Sequence, residues 1–192
     1  MYMLPGRYHM GLIGHNSNSK CQMWNTWEVH QSESAKHILE HVKNIAGSKD
    51  ENGRPIGKLN HLVIVAHGAP AHLYLGKGIK GYRGAEIFST LKGKVEEIWI
   101  LGCNVAYTEI GEEGSETDGE LFCSTIALKA GCAVIASTGA QCLEMGTWPY
   151  GGVDTYEGEV LTFYKGEGII KRKVEPAWRD NPDKPGECLP NP

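Results

Sequence analysis

Positive charge is in short supply in this sequence. Its 19 Lys and Arg stand against 23 Asp and Glu, a net charge of −4 with an isoelectric point near 6.1. That balance excludes the basic footprint of a nucleic-acid-binding protein. Long apolar runs are also missing. No stretch approaches the ~18 residues of a membrane span, and the opening MYMLPGRYHMG lacks the apolar core of a signal peptide. The expectation is a soluble chain with no membrane span, either cytoplasmic or secreted as an effector without a cleaved signal peptide. Six cysteines occur, at 21, 103, 123, 132, 142 and 188, and no two have C-x-x-C spacing. Zinc knuckles and thioredoxin-type redox chemistry are thereby set aside, and the thiols read as reduced. No metal and no cofactor is implied. Repeats and low-complexity linkers are absent as well.

What is present supports a folded core. Of 192 residues, 41% are hydrophobic, and 25 are glycine with no collagen period, which implies many tight turns. One domain is expected over 1–175, followed by a Pro-rich extended tail over 176–192. A short strand is expected at 7–13. Ala35, Ile38, Leu39, Val42 and Ile45 fall on one face of a helix running from Ser34. The β-branched run HLVIVA at 61–66 reads as a strand buried on both faces, as do EEIWILG at 96–102 and CAVIAS at 132–137. Residues 84–92 read as helical. Thr117 with Glu120 forms a capping-box pattern opening a helix that stops at Gly131. Segments 158–164 and 169–174 read as a C-terminal β-hairpin. Buried strands alternating with helices predict a three-layer α/β/α sandwich with a mainly parallel sheet and helices on both faces.

Sites in parallel α/β sheets lie at the carboxyl ends of the strands. Two consecutive strands here end in chemically loaded residues. LVIVA runs into His67-Gly68, and IWIL runs into Gly102-Cys103-Asn104. Neighbouring parallel strands would bring the imidazole and the thiol to one edge. A nucleophilic thiol needs a base nearby or a lowered pKa, and Gly68 leaves a backbone N–H able to hold an oxyanion.

The ordered series VIVAHG (63–68), WILGCNVA (99–106) and GCAVIASTG (131–139) resembles the caspase–haemoglobinase superfamily of cysteine peptidases. It is more similar still to an uncharacterised bacterial domain family, found near the front of large repeat-bearing surface proteins, with an HG…GCNVA pattern. The likeness covers about residues 58–140. It implies a caspase-like fold in which His67 is the catalytic histidine and Cys103 the nucleophile. It also implies an oxyanion hole from the N–H groups of Gly68 and Cys103, with a peptide or protein as substrate. The loop YTEIGEEGSETDG (107–119) is longer and more acidic than that pattern expects, so specificity does not transfer.

No Lys or Arg stands between Val105 and Leu128, so the loop after the nucleophile predicts a negative rim and a preference for a basic residue before the scissile bond. Glu112, Glu113 and Asp118 are the expected substrate-binding acids, with Trp148 a candidate lining residue. Three other readings compete. Cys21 could serve a deamidase-type effector, although NSKCQMW lacks a papain-like signature. A caspase-like shell could bind or autoprocess without turnover. His37-Ile38-Leu39-Glu40-His41 matches the inverted zinc-hydrolase motif H-x-x-E-H, although its histidines lie off the helix's apolar stripe.

Overall fold

The computed structural model describes residues 1–15, 17, 19–141, 146–154, 156–164, 168–173, 178–180 and 188–190. Its frame is one mixed sheet of seven strands: β1 (His9–Gly14), β2 (Asn25–Val29), β3 (Leu59–Val65), β4 (Val95–Leu101), β5 (Ala133–Ser137), β6 (Glu159–Tyr164) and β7 (Gly168–Lys173). The spatial order is β7-β6-β5-β4-β3-β1-β2. Strands β2, β1, β3, β4 and β5 run parallel, while β6 and β7 are antiparallel additions that form the expected hairpin. The class is α/β. Edge strand β2 alternates half-buried Trp27 and buried Val29 with exposed Thr26 and Glu28, a pattern too short to mark a strand in the sequence. In the tail, Trp178–Asp180 pairs antiparallel with Cys188–Pro190. The rest of the predicted tail, and Cys142, lie outside the described residues.

Three helices accompany the sheet. They are α1 (Ala35–Ala46), α2 (Gly81–Ala85), which runs on into a 3-10 turn at Glu86–Leu91, and α3 (Gly119–Ala130). Ser34 caps α1 by accepting from His37 N–H, and Ile38, Leu39, Val42 and Ala46 turn its apolar stripe into the core. The cap of α3 is Asp118 rather than Thr117, its carboxylate accepting from Leu121 N–H at 2.8 Å. Both long helices pack on the 3-10 segment, and α3 also packs on α2.

All three helices therefore share one face, over a core that includes Leu62, Ile64, Ile98, Ile100, Phe88 and Phe122. The expected second helical layer is not found among the described residues. The other face, with Val63, Val65, Leu101 and Ile135, is covered by Trp148, Tyr156 and short strands. Ser19–Gln22 pairs there with Gly146–Tyr150, and Tyr2–Met3 with Gly152–Val153. Handedness gives the reason. The crossovers β2 to β3, β3 to β4 and β4 to β5 all step the same way along the sheet, and right-handed connections of one direction put their helices on one face. The β1 to β2 crossover steps the other way, but it is short and carries Ser19–Gln22 instead of a helix.

Candidate active site

The parallel pairing of β3 with β4 ends with Val65 opposite Leu101, and Ala66 N–H donates to Leu101 O at 3.2 Å. The two chains thus enter His67-Gly68 and Gly102-Cys103 side by side. His67 is exposed, and its carbonyl accepts from Tyr74 N–H at 2.9 Å, closing a hairpin of Gly68–Ala69 with His72–Leu73. Cys103 is half-buried in the turn after β4. Gly68 packs directly on it. A Cβ at Gly68 would stand 2.7 Å from Cys103 O, 3.0 Å from Cys103 N and 2.6 Å from Val105 Cγ2. Only glycine permits that approach. The Cys103 N–H has no acceptor among the described residues.

A third strand end completes the edge. Beyond β5, Gln141 N–H donates to Cys103 Sγ at 3.3 Å, and the sulfur lies 3.7 Å from Gln141 O. The Gln141 side chain is itself held, donating to the carbonyls of Gly139, Ala140 and Glu157 and accepting from Glu157 N–H at 3.2 Å. Asn104 N–H donates to Gly139 O at 2.8 Å and Ala106 N–H to Ser137 O at 3.1 Å, so β5 braces the whole cysteine turn. Gln141 was not singled out in the sequence. Its signal there is faint: it stands two residues beyond the GCAVIASTG stretch (131–139) and belongs to no motif.

Backbone strain gathers at the same place. Among the described residues, Ala71 (φ 53°) and Asn104 (φ 56°) are the non-glycine positions with positive φ. Each flanks the His67–Cys103 edge, and Ala71 N–H donates to Val105 O at 3.2 Å, tying the two loops together. Such a conformation costs about 1–2 kcal/mol for an alanine, and strain of this kind concentrates at functional sites.

Between the hairpin that follows His67 and the acidic loop opens a cleft of about 460 Å³, walled by Ala69, Pro70, His72, Tyr74 and Lys80 on one side and Glu109, Glu112 and Thr117 on the other; neither His67 nor Cys103 is among its lining residues. The loop's charge is less uniform than its sequence. Arg83 reaches Glu116 at 3.2 Å, and Lys80 faces the acids across the cleft. Burial and Lys80 push the His72 imidazole below its ordinary pKa.

The four expected substrate-binding residues divide. Glu112 lines the cleft and accepts from Thr117 Oγ1 at 2.9 Å, which holds its carboxyl below the ordinary range. Glu113 is not a lining residue; it accepts from Gly111 N–H at 2.9 Å on the loop's exposed turn. Asp118 is a structural brace. Its carboxylate accepts from Thr108 Oγ1 as well as from the N–H groups of Gly114 and Leu121. Burial pushes its pKa up, but those hydrogen bonds win and leave it below the ordinary value. Trp148 is 3% exposed in the core under the other face, so it lines no cleft.

The competing sites fare differently. Cys21 is 2% exposed, and burial pushes its thiol up to about 12, the state of an inert core cysteine. The rings of His37 and His41 both pack on Trp27, at centroid distances of 5.9 and 4.6 Å, and His37 also bonds Glu33. That helix face is occupied in docking α1 onto edge strand β2.

No protein-family model, curated protein or solved structure matches this chain. Family likeness stays a matter of the motifs, and the chemistry must be argued from the edge itself.

Proposed function

We propose that the protein is a cysteine peptidase or related thiol amidase of caspase-like type, with Cys103 as nucleophile and His67 as general acid–base. Its second helical layer is replaced by short strands. The observation that carries the reading is the contact of Gly68 with the Cys103 backbone at the carboxyl ends of two paired parallel strands. That contact brings the Gly68 backbone against the N and O of Cys103, in the order His-Gly then Cys.

His67 takes the proton of the Cys103 thiol, and the thiolate so formed attacks the carbonyl carbon and forms a C–S bond. The N–H groups of Gly68 and Cys103 receive the oxyanion. On collapse the C–N bond breaks, and His67 donates its proton to the departing amine. Water then attacks the thioester while His67 takes its proton, the C–S bond breaks, the acid product leaves, and the proton returns to the Cys103 sulfur. The cleft between the hairpin and the acidic loop receives the residue before the scissile bond, and Glu109 and Glu112 favour Arg or Lys there.

A panel of peptides differing only at that residue tests the assignment. Arg and Lys substrates should show the highest kcat/KM, and Glu109→Lys with Glu112→Lys should lower it about tenfold at low ionic strength and less in salt. Preference for Asp, or indifference to charge, overturns the specificity. Turnover that survives Cys103→Ala overturns the reading as a whole.

A further inference from the structure

On the sheet face away from the helices lies a small pocket that the proposed reaction does not use. Its floor is one register row across three strands, with Trp99 of β4 beside Ile135 of β5 and Ile135 beside Thr162 of β6. Tyr2, Glu97, Tyr156 and Val160 complete the wall. The Trp99 ring sits between two tyrosines. Its centroid is 6.1 Å from Tyr2, tilted by 56°, and 6.0 Å from Tyr156, stacked at 22°. Glu97 Oε2 accepts from Trp99 Nε1–H at 2.7 Å and lies 3.3 Å from His61 Nε2, so the carboxylate is fixed in place. Thr162 is 3% exposed, yet its Oγ1 has no hydrogen-bond partner among the described residues.

Each feature asks for the same occupant. Aromatic faces with a carboxylate at their margin attract a cation. A buried hydroxyl with no partner calls for a ligand group that can hydrogen-bond. The pocket holds about 120 Å³, room for roughly four waters and so for a group of about four heavy atoms. We propose that this pocket binds a small alkylammonium carrying at least one N–H, of the size of methylammonium or dimethylammonium. Glu97 and the rings hold the charge, and Thr162 Oγ1 accepts the N–H. The source is either a free amine or the ammonium end of a lysine side chain. Nothing here depends on Cys103.

The test uses the intact chain. Methylammonium, dimethylammonium and tetramethylammonium chlorides are titrated against NaCl at matched ionic strength, following the Trp99 indole N–H by NMR. Dimethylammonium should saturate with a Kd of order millimolar, in keeping with so few atoms. Glu97→Gln should weaken it about tenfold or more and Tyr2→Ala several-fold. Thr162→Val should weaken dimethylammonium several-fold, since the acceptor for its N–H is lost. A blocked dimethyl-lysine amide binding more tightly than the free amine assigns the side-chain source, and the reverse assigns the free amine. Tyr2 is exposed, so its variant keeps the test open if Glu97→Gln fails to fold. A response no different from NaCl, or saturation that neither variant alters, overturns the proposal.

Discussion

The cysteines differ more in solvation than in neighbours. Burial alone lifts Cys21 to about 12. Cys123 is pushed up further by full burial, with Glu120 and Asp118 adding to the effect. Cys132 is 5% exposed in the turn between α3 and β5. Cys103 is half-buried and faces an N–H. A brief pulse of iodoacetamide at neutral pH, read by peptide mass spectrometry, should therefore modify Cys103 well before Cys21, Cys123 or Cys132. Rapid labelling of Cys132 would show that its turn is misplaced. Asp118 gives a second test at this scale. Its folded-state pKa is depressed, so its stabilisation is present above the ordinary carboxyl range and is lost as pH falls through the folded value. Asp118→Ala removes the α3 cap and the brace on the acidic loop, and should cost about 1–3 kcal/mol at neutral pH. In urea melts across pH, that cost should shrink toward the acid end. A constant cost would mean the carboxylate is not what matters.

At the scale of elements, the site is a contact between two strand ends held by a third. Gly68→Ala tests it with a single methyl group. The new Cβ meets backbone rather than a movable side-chain tip, so the His67 loop must back away from Cys103. Turnover should fall about a hundredfold or more, the scale of losing one oxyanion donor, while KM changes little. An unchanged kcat in a folded Gly68→Ala protein would separate the contact from the chemistry. Elements are also where sequence reading succeeded most. β3, β4, β5 and α1 announce themselves because burial on both faces, or on one helical stripe, leaves a periodic record. β2 lies at the edge, and its alternation of Trp27 and Val29 with exposed Thr26 and Glu28 is too brief to stand out. The α3 cap was displaced by one residue, because both Thr117 and Asp118 can cap and the tertiary partner Thr108 decides for Asp118.

For the molecule as a whole, the core lies mainly between the helices and the sheet, and the candidate residues sit at its rim. Ile64→Ala and Ile100→Ala remove fully buried side chains from central strands and should each cost about 2–5 kcal/mol in chemical denaturation. His67→Ala and Cys103→Ala should cost about 1 kcal/mol or less, since neither fills the core. Losses as large as the isoleucine variants' would assign both residues to the framework. That the strands leading into His67 and Cys103 are parallel neighbours was legible because strand order and direction follow from local chain rules. The charge of the cleft was not. Counting along 105–128 finds only acids, while Lys80 and Arg83 arrive from elements that folding brings across. Trp148 escaped for a like reason: an aromatic in a Gly-rich segment looks the same from sequence whether it lines a cleft or fills a core.

Covalent capture by a peptide-based thiol electrophile with a basic side chain at its recognition position tests the central claim most directly. The intact protein should be modified once, at Cys103, at a rate that falls sharply in His67→Ala and vanishes in Cys103→Ala, with both variants folded. Modification at another cysteine, or at Cys103 with no dependence on His67, would contradict the catalytic pair.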